Sequence, residues 1–235
     1  MSRALTVLPV EGLPEVRPGD SLAQLLVAAA DLLEGDVVVV TQKVVSKAEG
    51  RLVRLADGEA GAVAHRALVE QESVRVLRRR GELIVSETAH GFVCANAGVD
   101  RSNVADGWAA LLPVDADRSA RRIRAGVRSQ AGVDIGVIVS DTFGRPWRRG
   151  VTDVAIGCAG VAAVVDLRGT TDAGGRTLCA TEVCVVDELA AAAELVMGKA
   201  AGIAAAVVRG VDPAWLRPSS VRAEVVRHPS EDLFR

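Results

Sequence analysis

Strands and helices that interleave without a repeat predict a mixed α/β, or α+β, fold for this chain. Two short runs, Val37-Val38-Val39-Val40 and Ile135-Gly136-Val137-Ile138-Val139, have the length and apolar content of buried strands. Around them, Leu22, Leu25, Leu26, Ala29 and Leu33 recur at the spacing of one helix face. No low-complexity linker divides the chain, so any boundary within it is compact.

Each element follows from local signals. Leu5-Thr6-Val7-Leu8 reads as a short opening strand, and Pro18-Gly19-Asp20-Ser21 as a turn and N-cap for the first helix. Gly35-Asp36 then opens the strand 37–41. A helix is expected from about Gly61 to Arg80, ended by Gly81. Strands follow at Leu83-Ile84-Val85 and Phe92-Val93-Cys94. Asp117 is placed as the cap of a helix running to about Ser129. The strand 135–139 comes next, then strands over Val161–Asp166 and Glu182–Val186. A helix from Asp187 to Met197 and a strand at Ala205–Val208 complete the pattern.

Composition bounds the function. The 235 residues suffice for one large domain or two small ones. Aromatic residues make up only 3%, with no tyrosine, so the core must be aliphatic. A net charge of −2 gives no general field for nucleic acid or an anionic membrane, and any anion site must be local. Ala200–Val208 is the nearest approach to a membrane span and falls well short of the ~20 residues one needs. Met1–Val10 lacks the pattern of a signal peptide, so a cytoplasmic protein is expected. Cys94, Cys158, Cys179 and Cys184 form no CxxC pair and read as reduced, buried apolar side chains. His65, His90 and His228 are scattered and receive no metal role.

Chemistry concentrates in four segments. Ser140-Asp141-Thr142 ends a buried strand with a carboxylate and a hydroxyl, and Arg145, Trp147, Arg148 and Arg149 follow closely. That set suits a divalent cation and the anion it neutralises. Taken alone, it reads equally as a polar strand end leading into a solvated basic turn. In Thr41–Gly50, Lys43 and Lys47 offer point charges for phosphate, against the plainer reading of a solvated strand edge. Gly98-Val99-Asp100-Arg101-Ser102-Asn103 reads as an Asx-turn offering a carboxylate and an amide. The stretch from Asp187 to Lys199 is a capped helix whose charges suit its dipole. No GxxxxGK[ST] or GxGxxG motif is present, and the glycines of Gly169–Gly175 lack that context, so neither a P-loop nor a Rossmann site is expected.

Together, five segments stand in an order and spacing that resemble the coenzyme F420-0:L-glutamate ligase (gamma-glutamyl ligase) family. They are Leu13-Pro14-Glu15 with Pro18-Gly19-Asp20, Lys43–Gly50, Gly98–Asn103, Asp141-Thr142-Phe143-Gly144-Arg145-Pro146-Trp147-Arg148 and Asp187-Glu188-Leu189-Ala190. The resemblance runs from about Leu8 to Arg209. It implies one family-specific α+β ligase domain over 1–235 in two intertwined subdomains, forming a homodimer with the nucleotide site near its interface. It also implies a free-standing ligase form, without the C-terminal flavin-binding, nitroreductase-like domain of some relatives.

The activity implied is GTP-dependent addition of L-glutamate to F420-0 through an acyl phosphate, followed by further γ-linked glutamate. A divalent metal, Mg2+ or Mn2+, with K+ as a further candidate ion, would be held by Asp100, Asp141 and Thr142. GTP would meet Leu13, Pro14, Glu15, Val16, Gln42, Lys47 and Asn103, joined by Met197, Gly198 and Lys199. Where the family pattern offers a glutamine metal ligand, this chain has Lys199, whose ammonium does not coordinate while charged. Beyond the resemblance, Arg145 and Arg148, with Arg149, are candidate catalytic contacts to phosphate or substrate carboxylates, because guanidinium groups bind both bidentately. Two other functions fit the same residues: a metal-dependent phosphatase or hydrolase that activates water, and a non-catalytic nucleotide-binding module.

Overall fold

The computed structural model describes residues 4–56 and 58–232. Along the chain run β1 (Thr6–Pro9), α1 (Leu22–Ala29), β2 (Val37–Thr41), α2 (Gln42–Ala48), β3 (Leu52–Arg54), α3 (Gly58–Glu72), β4 (Ser73–Arg80), β5 (Leu83–Thr88) and β6 (Val93–Ala95). There follow β7 (Trp108–Ala110), α4 (Ala116–Ala131), β8 (Gly136–Arg145), β9 (Arg148–Ala159), β10 (Val165–Asp166), β11 (Glu182–Val183), α5 (Val185–Met197), β12 (Ala205–Arg209) and α6 (Val221–Glu224).

The four valines of β2 fix the centre of the fold. None is more than 1% exposed, so both faces of this strand need a cover. β2 lies in the middle of a five-stranded sheet of order β1-β12-β2-β8-β9. It runs parallel to β8, from Val37↔Gly136 to Thr41↔Ser140, and every other pairing in this sheet is antiparallel. On one face, Leu26 of α1 and Ala120, Ile123 and Val127 of α4 pack against Val38, Val40, Val137 and Val139. On the other, Val186, Leu189, Ala190, Ala193 and Met197 of α5 pack against Val37, Val39, Ile138, Ala206 and Val208. Close approach requires small residues: a Cβ on Gly157 would lie 2.3 Å from the carbonyl carbon of Ala116, where α4 begins on β9. A third core joins Leu68 and Val69 of α3 to Ile84, Ala109 and Leu111, beneath the sheets β4-β5-β6 and β3-β7.

Several expectations are corrected. The helix predicted over 61–80 ends at Glu72, and Ser73–Arg80 forms β4 against β5. Long-range pairing overrides the helical propensity of its arginines. The first helix stops at Ala29, leaving Leu33 outside it, although Ser21 caps it as expected. Asp115, not Asp117, caps α4. Asp117 instead accepts from the N–H groups of Cys158, Val221 and Arg222, tying β9 to the start of α6. The supposed strand edge after Thr41 is the helix α2, with Gln42, Val45 and Ser46 buried. Only Val165–Asp166 and Glu182–Val183 of the two proposed later strands pair as strands, and β9 was not anticipated. All four cysteines are free; Cys94 and Cys158 are buried and Cys184 half-buried, whereas Cys179 is exposed. Among the described residues no helix is long and apolar enough to cross a membrane.

Candidate functional site

β2 and β8 run parallel, so their carboxyl ends open on the same side of the sheet, the side on which α/β proteins commonly bind ligands. A cavity of about 420 Å³ lies there. Its walls are the loop 13–16, the start of α2, the turn around Asp100 and Asn103, the end of β8, and the segment from Met197 to Ala204 that leads into β12. Every residue to which the resemblance gives a nucleotide or metal role is on this wall: Leu13, Pro14, Glu15, Val16, Gln42, Lys47, Asp100, Asn103, Asp141, Thr142, Met197, Gly198 and Lys199. Arg145, Arg148 and Arg149 are not. They occupy the exposed tip of the β8–β9 hairpin, where the Arg145 guanidinium donates to the Arg149 carbonyl at 2.8 Å.

Asp100 is held from both sides. Its backbone bridges to Ala110, and its carboxylate accepts from the Ser102 N–H at 2.7 Å and the Ser102 hydroxyl at 3.0 Å. Lys43 Nζ stands 2.9 Å from its Oδ2 and donates to Ser102 Oγ at 2.8 Å. Burial alone raises the Asp100 pKa, but the hydrogen bonds from Lys43 and Ser102, with the Lys43 charge, outweigh it and hold the group below its ordinary value. Asp141 has the opposite balance. Burial, reinforced by the charges of Asp100 and Asp153, pushes its pKa up to about 7, against the lowering effect of the Thr142 N–H and Lys199.

Five carboxylates on the cavity wall, Glu15, Asp100, Asp141, Asp153 and Glu194, stand against three lysines, Lys43, Lys47 and Lys199, so acidic side chains outnumber basic ones. Among the described residues no three His, Cys, Asp or Glu side chains form a ready cage for an ion. Two carboxylates and a hydroxyl still suit a Mg2+-like ion that takes its remaining ligands from phosphate and water. The residues fit the implied metal.

The nucleotide candidates show matching features. Gln42 is 2% exposed; its Oε1 accepts from Ser46 at 3.0 Å, while its Nε2 has no partner among the described residues. A buried donor left unmatched on a cavity wall awaits an acceptor. Lys47 is ion-paired with Glu15 at 2.5 Å and only 11% exposed, which removes the solvated-edge reading. Asn103 adopts a left-handed backbone with φ 53°, and its amide donates to the Lys199 carbonyl at 3.4 Å, linking two walls of the cavity. The Lys199 ammonium contacts the Thr142 hydroxyl.

Lys43 and Ser140, which belong to the segments singled out in the sequence, also line the cavity, as does Asp153, which the sequence reading did not single out. The hairpin register places Asp153 opposite Thr142, so a carboxylate within a strand, facing a Ser-x-Thr strand end, is the signal that identifies it.

A family model described as F420-0:Gamma-glutamyl ligase matches residues 12–210, a span that includes every residue lining the cavity. The coenzyme F420:L-glutamate ligase of Methanopyrus kandleri is 46% identical over 250 residues, covering 98% of this chain and 99% of that protein. That of Methanothermobacter thermautotrophicus is 43% identical over 249 residues, covering 98% and 99%. That of Archaeoglobus fulgidus is 41% identical over 241 residues, covering 97% and 96%. Likeness of this extent, spanning the sheet and the cavity alike, places the chain in the F420-0:gamma-glutamyl ligase family.

Proposed function

We propose that this chain joins L-glutamate to F420-0 through an amide bond, driven by GTP through an acyl phosphate, and then adds further γ-linked glutamate. The observation that carries the proposal is the cavity at the ends of β2 and β8, where carboxylates, lysines and an unmatched buried amide converge in a chain of this family. An acceptor carboxylate oxygen attacks the γ-phosphorus and GDP leaves. The glutamate nitrogen then attacks the acyl carbon, phosphate departs, and the nitrogen gives up a proton. Every reactant is anionic, so the site must supply positive charge and fixed donors before they can approach one another.

Asp100, Asp141 and Thr142 would hold the divalent ion, Mg2+ or Mn2+. The bound ion supplies charge neutralisation at the phosphate oxygens. Lys47, exchanging Glu15 for a phosphate, and the free Gln42 Nε2 would grip the nucleotide; Asn103 would fix the facing loop. The proposal includes a homodimer, supported by the family resemblance.

The test is mass analysis after incubating the protein with GTP, L-glutamate, Mn2+ or Mg2+ and F420-0. Glutamylated product with matching GDP and phosphate release is expected, with GTP preferred over ATP. Phosphate release without any need for glutamate would identify a hydrolase instead, and undiminished product in excess chelator would remove the metal.

Lys199→Gln should weaken GTP binding about tenfold at low metal, as expected for one hydrogen bond from a charged donor. Activity should then depend more steeply on metal concentration, because a fixed ammonium no longer shares the neutralisation. A metal titration that superimposes variant and parent would reduce Lys199 to a helix-end cation.

A further inference from the structure

Asp153 is a buried carboxylate, 3% exposed, in the interior of β9. Its Oδ1 accepts from the Thr142 hydroxyl at 2.6 Å and its Oδ2 from the Ser140 hydroxyl at 2.9 Å. Residues 140 and 142 point to the same side of β8 because side chains alternate along a strand. No lysine or arginine ion-pairs with Asp153 among the described residues. A buried carboxylate satisfied by two neutral hydroxyls is a costly way to fill space, and an apolar residue there would serve packing better.

The Lys199 contact fixes where the Thr142 proton lies. An ammonium only donates, so at Thr142 Oγ1 it must meet a lone pair. The one hydroxyl hydrogen is then committed to Asp153. The oxygen consequently keeps its second lone pair, and no hydrogen, for the cavity beside Asp141, as a cation ligand must.

We propose that Asp153 is a positioning residue of the cation site: it takes the hydroxyl proton of Thr142 and turns the oxygen of that hydroxyl toward the bound ion. This rests on the reading of Asp141 and Thr142 as cation ligands. Asp153→Asn is the discriminating change, since an amide has one acceptor oxygen where the carboxylate has two. Its NH2 group must donate to one of the two hydroxyls and turn that hydroxyl around.

The probe is Mn2+ alone, titrated by calorimetry and electron paramagnetic resonance into Asp153→Asn, Thr142→Val and the double variant, with thermal melts in parallel. Outer contacts of this kind typically change metal affinity by about 10- to 100-fold. Asp153→Asn is expected to weaken Mn2+ binding at least tenfold, and the double variant should bind no more weakly than Thr142→Val alone. A merely structural carboxylate would lower the melting temperature while leaving the Mn2+ affinity of the folded protein unchanged. That result, or additive losses in the double variant, overturns the positioning role. Should Asp153→Asn fail to fold, Asp153→Ser enters the same cycle. Failure of the parent protein to bind Mn2+ under any condition would overturn the cation reading itself, an outcome distinct from the other two.

Discussion

Asp141→Asn should cut ligation by on the order of a thousandfold, the scale of losing one preorganised charge interaction at a reacting centre. The same change should make the ligand-free protein harder to unfold at pH 8. Both follow from one carboxyl. Burial first, then the charges of Asp100 and Asp153, lift its pKa to about 7 from an ordinary 3.8. An acid whose pKa is raised on folding holds a proton in the native state that the unfolded chain has already released. Its presence therefore costs stability increasingly as pH rises from about 4 to about 7, and by a constant amount above that. The ceiling on that cost is on the order of 4 kcal/mol, and the access of Asp141 to the cavity reduces it. An amide carries no such penalty. Denaturation curves of variant and parent should coincide near pH 4 and diverge by pH 8, with Mn2+ stabilising only the parent. Near-normal turnover at low metal, or coincident curves at pH 8, would remove Asp141 from the centre of the site.

Asp36→Ala is expected to lower the thermal midpoint by about 10 °C, on a cost of about 3 kcal/mol for breaking a buried pair and about 2–4 °C per kcal/mol in a chain of this size. Asp36 is 1% exposed, at the mouth of β2. It accepts from Arg209 Nε at 2.9 Å and Nη2 at 2.8 Å, and from the Leu33 N–H at 2.9 Å. The substitution strands the guanidinium at the end of β12 and leaves the turn before β2 with an unmet donor. Arg209 is 34% exposed, and its remaining bond to the Asp31 carbonyl limits the damage, so the lower end of the usual range applies. Arg209→Lys keeps the charge but not the two-pronged contact, and should fall between parent and Asp36→Ala. A midpoint within 1–2 °C of the parent for Asp36→Ala would show that surrounding packing, not this pair, closes the sheet.

What could be read from the sequence depended on whether a residue's structure is decided nearby. The valines of β2 need no distant information, because a short apolar run of branched residues has few other uses. α2 leaves no local trace: it begins directly after β2, and Thr41 makes no side-chain cap. The arginines of β4 look like a helix surface until β5 supplies their hydrogen-bonding partner. The cavity is assembled from six separated segments, and periodicity alone does not connect Leu13 to Asp100 or Lys199. The resemblance connected them, but it carried only residues in its motifs and in the segments beside them. Asp153 lies outside those motifs, and its pairing with Thr142 depends on the register of a long hairpin.

The position of β12 dictates an order of assembly. It sits between β1 and β2 although it follows β2 by more than 160 residues in the chain. While the protein is being synthesised, β1 has no neighbour and β2 has an open edge until residues 205–209 emerge from the ribosome. Unpaired edges of this kind invite wrong partners. The segment 197–204, which walls the cavity, immediately precedes β12, so the last strand to dock also closes the site. An interrupted polypeptide is therefore both adhesive and without a finished cavity, and the nascent chain completes that cavity only in the step that hides its edges.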